Sequence, residues 1–174
     1  MAGGLGNDNY HVDDALDTVT ELSFEGNDTV YSTAYSYQLA AGSWVETLSL
    51  DTDSDTGVYG TGNGASNTIF GNINDNVLNG GGGSDSLSGL GGNDTFVFQA
   101  GQAHGDVVYE FNGNGAGVGD VLQFSGYGTL AEGVTFHQLT ATEWQITSAD
   151  GLIQETITLA AGAVIDTTTD LVFV

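Results

Sequence analysis

A unit of nine residues, repeated in phase, constrains this chain more than any other feature. Four such units run without a gap from residue 62 to residue 97: GNGASNTIF, GNINDNVLN, GGGGSDSLS and GLGGNDTFV. The sixth position reads Asn67, Asn76, Asp85, Asp94, and the eighth reads Ile69, Leu78, Leu87, Phe96. The N-terminus carries the same unit as GGLGNDNYH and VDDALDTVT, then as SFEGNDTVY after two inserted residues. There the sixth position is Asp8, Asp17 and Asp28, and the eighth is Tyr10, Val19 and Val30. Two weaker units follow downstream, GQAHGDVVY with Asp106 and GAGVGDVLQ with Asp120.

Within each unit the first six residues are rich in Gly, Asn and Asp. Glycine admits positive φ at no steric cost, and Asn or Asp tolerates it, so these six residues form a turn. The last three centre on one apolar side chain and form a short strand. Two units then make one coil of 18 residues. Turns alternate between two sides, and the eighth-position side chains stack inward. The fold expected is all-β: a parallel β-roll closed by a C-terminal β-strand cap.

The glycine-rich unit resembles the nonapeptide repeat of RTX proteins, a calcium-binding parallel β-helix repeat. The resemblance is closest at residues 3–8, 80–85 and 89–94, and is degenerate at 62–67 and 71–76, where Asn stands for Asp. It implies a roll over residues 1–100, with an irregular spacer at about 32–61, and a capping β region over 101–174. It also implies several bound Ca2+ ions, held by Asp8, Asp17, Asp28, Asn67, Asn76, Asp85, Asp94, Asp106 and Asp120. Carbonyls of Gly4, Gly6, Gly26, Gly81, Gly83 and Gly92 complete the shells.

Charge gives the same answer. The chain has 23 Asp and Glu residues and no Lys or Arg, for a net charge of −23. Successive coils lie roughly 4.8 Å apart, the strand spacing. Two bare carboxylates at that distance repel by about 3–4 kcal/mol at an effective dielectric near 20. Calcium takes oxygens at roughly 2.3–2.6 Å, so two oxygens on opposite sides of one ion span about 4.6–5.2 Å, which matches the coil spacing. On this register Asn67 faces Asp85, Asn76 faces Asp94 and Asp8 faces Asp28.

The same composition excludes partners. Nucleic-acid binding needs cations against phosphate, and none exist here. Attraction to an anionic membrane fails for the same reason, and no apolar run reaches membrane-spanning length, so no membrane insertion is expected. Without cysteine there are neither disulfides nor thiolate metal sites. The stretch MAGGLGND has neither a charged n-region nor an apolar h-region, so it is not expected to act as a Sec-type signal.

The final third has fewer glycines and longer alternation. DVVYEF, DVLQF, VTFHQL, EWQITSA and QETITLA read as strands covering the open end of the roll, and Asp150-Gly151 reads as a hairpin turn. The stretch 106–128 is similar to the segment that follows the repeats in RTX proteins. The ending TDLVFV resembles the C-terminal signal of type I secretion, and also reads as a final strand. The resemblance therefore implies an extracellular protein of a Gram-negative bacterium, a type I exporter as partner and a further domain joined to the N-terminus.

No nucleophile elbow, zinc-protease helix or P-loop occurs, and His11, His104 and His137 lie in separate elements, so no enzymatic activity is expected. The alternative function is a carbohydrate-binding or adhesin module. It rests on Tyr31, Tyr35 and Tyr37 at strand period with Trp44 nearby, whose other reading is a packed core face.

Overall fold

The computed structural model describes residues 1–50, 57–113, 119–160 and 162–174. The first nine strands are β1 (Asn9–Val12), β2 (Thr29–Ser32), β3 (Ser36–Gln38), β4 (Thr47–Leu50), β5 (Tyr59–Thr61), β6 (Thr68–Phe70), β7 (Val77–Asn79), β8 (Ser86–Ser88) and β9 (Thr95–Gln99). They are followed by β10 (Val107–Tyr109), β11 (Val121–Ser125), β12 (Thr135–Gln138), β13 (Glu143–Thr147), β14 (Gln154–Leu159) and β15 (Leu171–Phe173). Among the described residues there is no α-helix, and one 3-10 turn spans Leu130–Glu132.

The strands form two sheets. One runs β1-β2-β4-β6-β8-β10-β14-β13-β12, the other β15-β11-β9-β7-β5-β3. From β1 to β10 and from β3 to β15 every pairing is parallel, and from β2 to β11 the chain alternates between the sheets as a coil requires. The protein is a parallel β-roll.

Register aligns the eighth-position side chains. Tyr10, Val30, Leu48, Ile69, Leu87 and Val108 are paired in succession along the first sheet. Leu78, Phe96, Leu122 and Leu171 are paired along the second. All but Leu171 are buried and belong to one continuous core, against which Leu171 packs. Each strand is only a few residues long, so no coil could bury an apolar face alone. Stacking supplies the burial, as in any solenoid.

The stretch expected as an irregular spacer carries three strands in register: β3 and β5 in one sheet, β4 in the other. It lacks the glycine-rich turn yet offers inward Tyr37, Leu39, Leu48 and Leu50, all buried. An apolar stack above and below is sufficient to hold a coil whose turn chemistry is different. Residues 51–56 of that stretch, and residues 115–118 of the unit GAGVGDVLQ, lie outside the described residues.

The roll also extends past residue 100. Strands β10, β11 and β15 are further parallel rungs. The cap consists of β12, β13 and β14, which pair antiparallel with one another while β14 runs parallel to β10. Asp150-Gly151 sits in the connection of β13 to β14, where Asp150 Oδ1 accepts from the Leu152 N–H at 3.0 Å.

Candidate metal centre

Each turn ends on the residue just before a strand, and in most coils that residue is an acid or its amide. The side-chain oxygen at this position accepts the backbone N–H of the equivalent residue one coil earlier. Asp28 accepts from Asp8 at 2.9 Å, Asp85 from Asn67 at 2.7 Å, and Asp106 from Asp85 at 2.9 Å. On the other side Asp94 accepts from Asn76 at 2.8 Å and Asp120 from Asp94 at 2.8 Å. Two ladders of carboxylates therefore climb the two edges of the roll.

Each accepting carboxylate uses one oxygen in that bond, whereas Asp8, at the foot of its ladder, takes part through its N–H. Oδ2 of Asp8, of Asp28 and of Asp85 is buried and meets no protein donor among the described residues. Leaving a buried charged oxygen unpaired is costly, and burial shows in the acidities. It pushes Asp85 and Asp94 up to about 6, although the Asn67 and Asn76 N–H groups pull the other way. Asp106 is pushed up to about 7, first by burial and then by nearby Asp85 and Glu155. Asp120 is raised as well, again chiefly by burial.

Glycine keeps the space around these oxygens open. A Cβ on Gly80 would lie 2.2 Å from Asp85 Oδ2, and one on Gly89 would lie 1.9 Å from Asp94 Oδ2. At Gly81 and Gly83 the backbone is left-handed, with φ of 89° and 111°. A Cβ at Gly81 would lie 2.1 Å from the Asn63 carbonyl oxygen of the coil below. Carboxylate and carbonyl oxygens thus share a cradle that any side chain would fill. Gly4, Gly6, Gly26 and Gly92 also have positive φ in their turns.

Among the described residues, no three His, Cys, Asp or Glu side chains converge on one point. The donor set is one acid per rung plus turn carbonyls, all hard oxygen, in a chain without a side-chain cation other than histidine. That set suits calcium, which takes six to eight oxygens in flexible geometry. The orphaned oxygens and the glycine cradle both fit such an ion.

The asparagine rungs differ. Asn67 Nδ2 donates to the Val45 carbonyl at 2.8 Å, and Asn76 Nδ2 donates to the Asn72 carbonyl at 3.1 Å and to Asp94 Oδ1 at 3.0 Å. An amide brings its own donor to the turn, so these rungs meet part of their demand internally. Asp17 lies outside both ladders. Its backbone carbonyl accepts the Tyr37 hydroxyl at 3.1 Å, and its carboxylate faces the nearby N–H of Asp13 at 3.4 Å.

Three further acids in the turns are absent from the sequence reading, the half-buried Glu46 and the buried Asp170 and Glu21. Glu46 occupies the ladder position between Asp28 and Asn67, and its Oε2 accepts the Asp28 N–H at 2.8 Å. Its signal is the 18-residue interval from Asp28, with buried Leu48 two positions on. Asp170, just before β15, is buried beside Asp120, and a Cβ at Gly113 would lie 2.1 Å from its Oδ2. Glu21 falls in the two-residue insertion. Its Oε1 accepts from Gly3 N–H at 2.7 Å and from the Tyr10 hydroxyl, and its Oε2 is orphaned.

Residues 61–96 match the family model of the RTX calcium-binding nonapeptide repeat, in 4 copies. The stretch covers the four gapless units but for Val97, with the Asp85 and Asp94 rungs, and repeats of this kind bind several Ca2+ ions per array. No curated protein matches the chain. No helix among the described residues is long and apolar enough to cross a membrane.

Proposed function

We propose that this chain is a calcium-binding RTX module that folds outside the cell after type I secretion, and that it stabilises or exports a larger extracellular protein joined to it. The observation that carries this reading is the set of buried carboxylate oxygens, on Asp8, Asp28 and Asp85, that no protein group among the described residues satisfies. A bound calcium ion supplies the positive charge that those stacked acids need. Asp85 with the turn carbonyls of residues 62–66 and 80–84 would hold one such ion, and Asp94 with the turn below it another.

Before binding, the ladder acids repel across a single strand spacing and the glycine-rich turns lose much conformational entropy on ordering. The net charge of −23 keeps the unliganded chain expanded and soluble. A chain in that state suits passage through an exporter that carries unfolded protein. Modest affinity, on the order of 10⁻⁴–10⁻³ M as in extracellular calcium modules, lets folding wait for the outside. With no proline in the chain, X-Pro isomerisation cannot delay it.

Circular dichroism tests the folding step. In EDTA the spectrum should be that of a disordered chain, and millimolar calcium should restore β structure; an unchanged β spectrum in EDTA overturns the reading. Export is tested separately, by expressing the chain with and without residues 170–174 beside a matching type I exporter. The full chain should appear in the medium and the shortened chain should not. Because Asp170 is buried and β15 is a rung of the roll, calcium-driven folding of the shortened chain must be measured in parallel.

A further inference from the structure

The outer face of the first sheet carries a column whose members alternate between rings and small hydroxyl groups. Register pairs Tyr31 with Ser49, Ser49 with Phe70, Phe70 with Ser88 and Ser88 with Tyr109. The three aromatic side chains are exposed although large and apolar. Beside them on the same face, two residues earlier in each strand, stand Thr29, Thr47, Thr68 and Ser86, likewise paired in succession.

Between Phe70 and Tyr109 the column opens into a cavity of about 500 Å³. Thr68, Ser86 and Ser88 line it, with Leu90 and Glu110 at its rim. Ser88 Oγ donates to Glu110 Oε2 at 3.0 Å, which fixes the carboxylate over the floor. Leu90 and Glu110 both hold left-handed backbone, with φ of 69° and 58°, and they are two of the three non-glycine residues among those described that do. Such strain in residues other than Gly persists where the surroundings impose it, and it clusters at binding sites.

Width selects the occupant. At the foot of the column His11 and Tyr31, on adjacent rungs, stack with centroids 5.2 Å apart and planes 17° apart, so rings there face along the roll axis. Phe70 and Tyr109 are separated by one further rung, about 9.6 Å at two strand spacings. Two flat-ring contacts at ~3.5–4.0 Å between carbons take up about 7–8 Å. A planar ring would sit loose in the gap, whereas a puckered saturated ring fills it. Hydroxyls and a carboxylate on the floor and rim offer donors and acceptors to a polyol, and a chain without Lys or Arg offers nothing to an anion.

We propose that this slot binds a neutral saccharide, one pyranose ring lying between Phe70 and Tyr109 with its hydroxyls on Thr68, Ser86 and Glu110, above the buried Ser88 that holds the Glu110 carboxylate. The gap between Tyr31 and Phe70 over Ser49 repeats the spacing and would take a second ring of the same chain. The sequence reading pointed to Tyr31, which borders this second gap, and to Tyr35, Tyr37 and Trp44, which do not. Of these Tyr37 is buried in the core, Tyr35 contacts Tyr59 at 5.3 Å, and Trp44 lines a separate hollow beside Gly64 and Gly83.

The test is isothermal titration calorimetry on the calcium-loaded full chain with cellohexaose, polygalacturonate and spermine as probes, preceded by a neutral-glycan array to widen the choice of saccharide. A neutral oligosaccharide should bind, and both Phe70→Ala and Tyr109→Ala should weaken it more than tenfold without moving the calcium midpoint. Trp44→Ala should leave it unchanged. The two ring deletions are independent and both at exposed positions, so one suffices if the other disturbs folding. The proposal is overturned if no neutral glycan binds at millimolar concentration, if both ring deletions leave binding intact, or if spermine or polygalacturonate binds the slot more tightly.

Discussion

Asp85 and Glu155 are both buried carboxylates set against the same sheet, yet they are satisfied in different ways. Asp85 accepts one backbone N–H and leaves its Oδ2 without a donor. Glu155, on the cap strand β14, accepts the Gly101 N–H at 2.9 Å, the Ala103 N–H at 2.9 Å and the Tyr127 hydroxyl at 2.5 Å. The Tyr127 hydroxyl is correspondingly pushed up in pKa, first by burial and then by its bond to Glu155. Where the parallel coils present acids to an external ion, the cap turns its own acid back on the last turn and closes it with protein donors. On the proposed function, the same chemical group makes one region dependent on calcium and leaves the other to its own donors.

Removing calcium should separate the regions most. Amides of β6 to β9, whose turns carry the Asp85 and Asp94 rungs, should lose nearly all hydrogen-exchange protection in EDTA. Amides of β13 and β14 should retain more, because their antiparallel pairing and the packing of Ile146 and Ile157 do not involve the ladders. Equal loss in both regions would mean that the cap has no stability of its own.

Single substitutions sharpen the contrast. Asp85→Ala should raise the calcium midpoint several-fold, because it removes a ladder oxygen and leaves the buried Asn67 N–H unpaired. Glu155→Ala should instead lower the thermal midpoint of the calcium-loaded chain. It strands two N–H groups and a buried hydroxyl, at about 1–3 kcal/mol for each group left unsatisfied. The calcium midpoint should move little. Titrations monitored by circular dichroism, paired with calorimetric melts, distinguish the two signatures.

How much of this was legible in the sequence depended on the turn. Where the turn is glycine-rich, the acid, the inward Leu or Phe and the register of Asn67 on Asp85 all follow from the nine-residue period, because that turn chemistry admits one geometry. Where most of the glycines are gone, as around Glu46, the coil persists on apolar stacking and on the Glu46 bond to the Asp28 N–H. Its strand then looks like spacer until the 18-residue interval from Asp28 is noticed. Glu21 and Glu155 could not be found by period at all. One sits in an insertion, and the other's contacts with residues 101 and 103 span more than 50 positions of chain. The exposed aromatic column likewise needs the register, since Phe70 and Tyr109 are 39 residues apart in sequence and two rungs apart in space.

Acidity divides the regions in a third way. Asp85 and Asp94 at about 6 and Asp106 at about 7 are raised above an unfolded value of 3.8. A raised folded pKa contributes stability that is full below the unfolded value and is lost as pH rises through the folded one. In EDTA, then, the roll should gain β structure as pH falls from 7.5 towards 5. With calcium the dependence reverses: protons compete for the same oxygens, so the calcium midpoint should rise over that window. A calcium-free chain that stays disordered down to pH 4 would show that the ladder acids are not buried as described.

The smallest effect belongs to Asp150, in the connection between β13 and β14. It is exposed, and its pKa is lowered by the Ser148 hydroxyl, at 2.6 Å, and by the Leu152 N–H. Its sign is opposite to that of the ladder acids: whatever it contributes is present above pH 3.8 and lost as pH falls through its lower folded value. Asp150→Ala should therefore cause a slight fall in the thermal midpoint, vanishing at acid pH, and no change in the calcium midpoint. Ser148→Ala should cost more, because the buried Ser148 hydroxyl also accepts the Ile153 N–H at 3.0 Å, and it too should leave the calcium midpoint unchanged. Were Asp150→Ala to raise the calcium midpoint as far as Asp85→Ala does, position before a strand would not be what makes an acid a ligand here, and the two ladders would lose their meaning as sites.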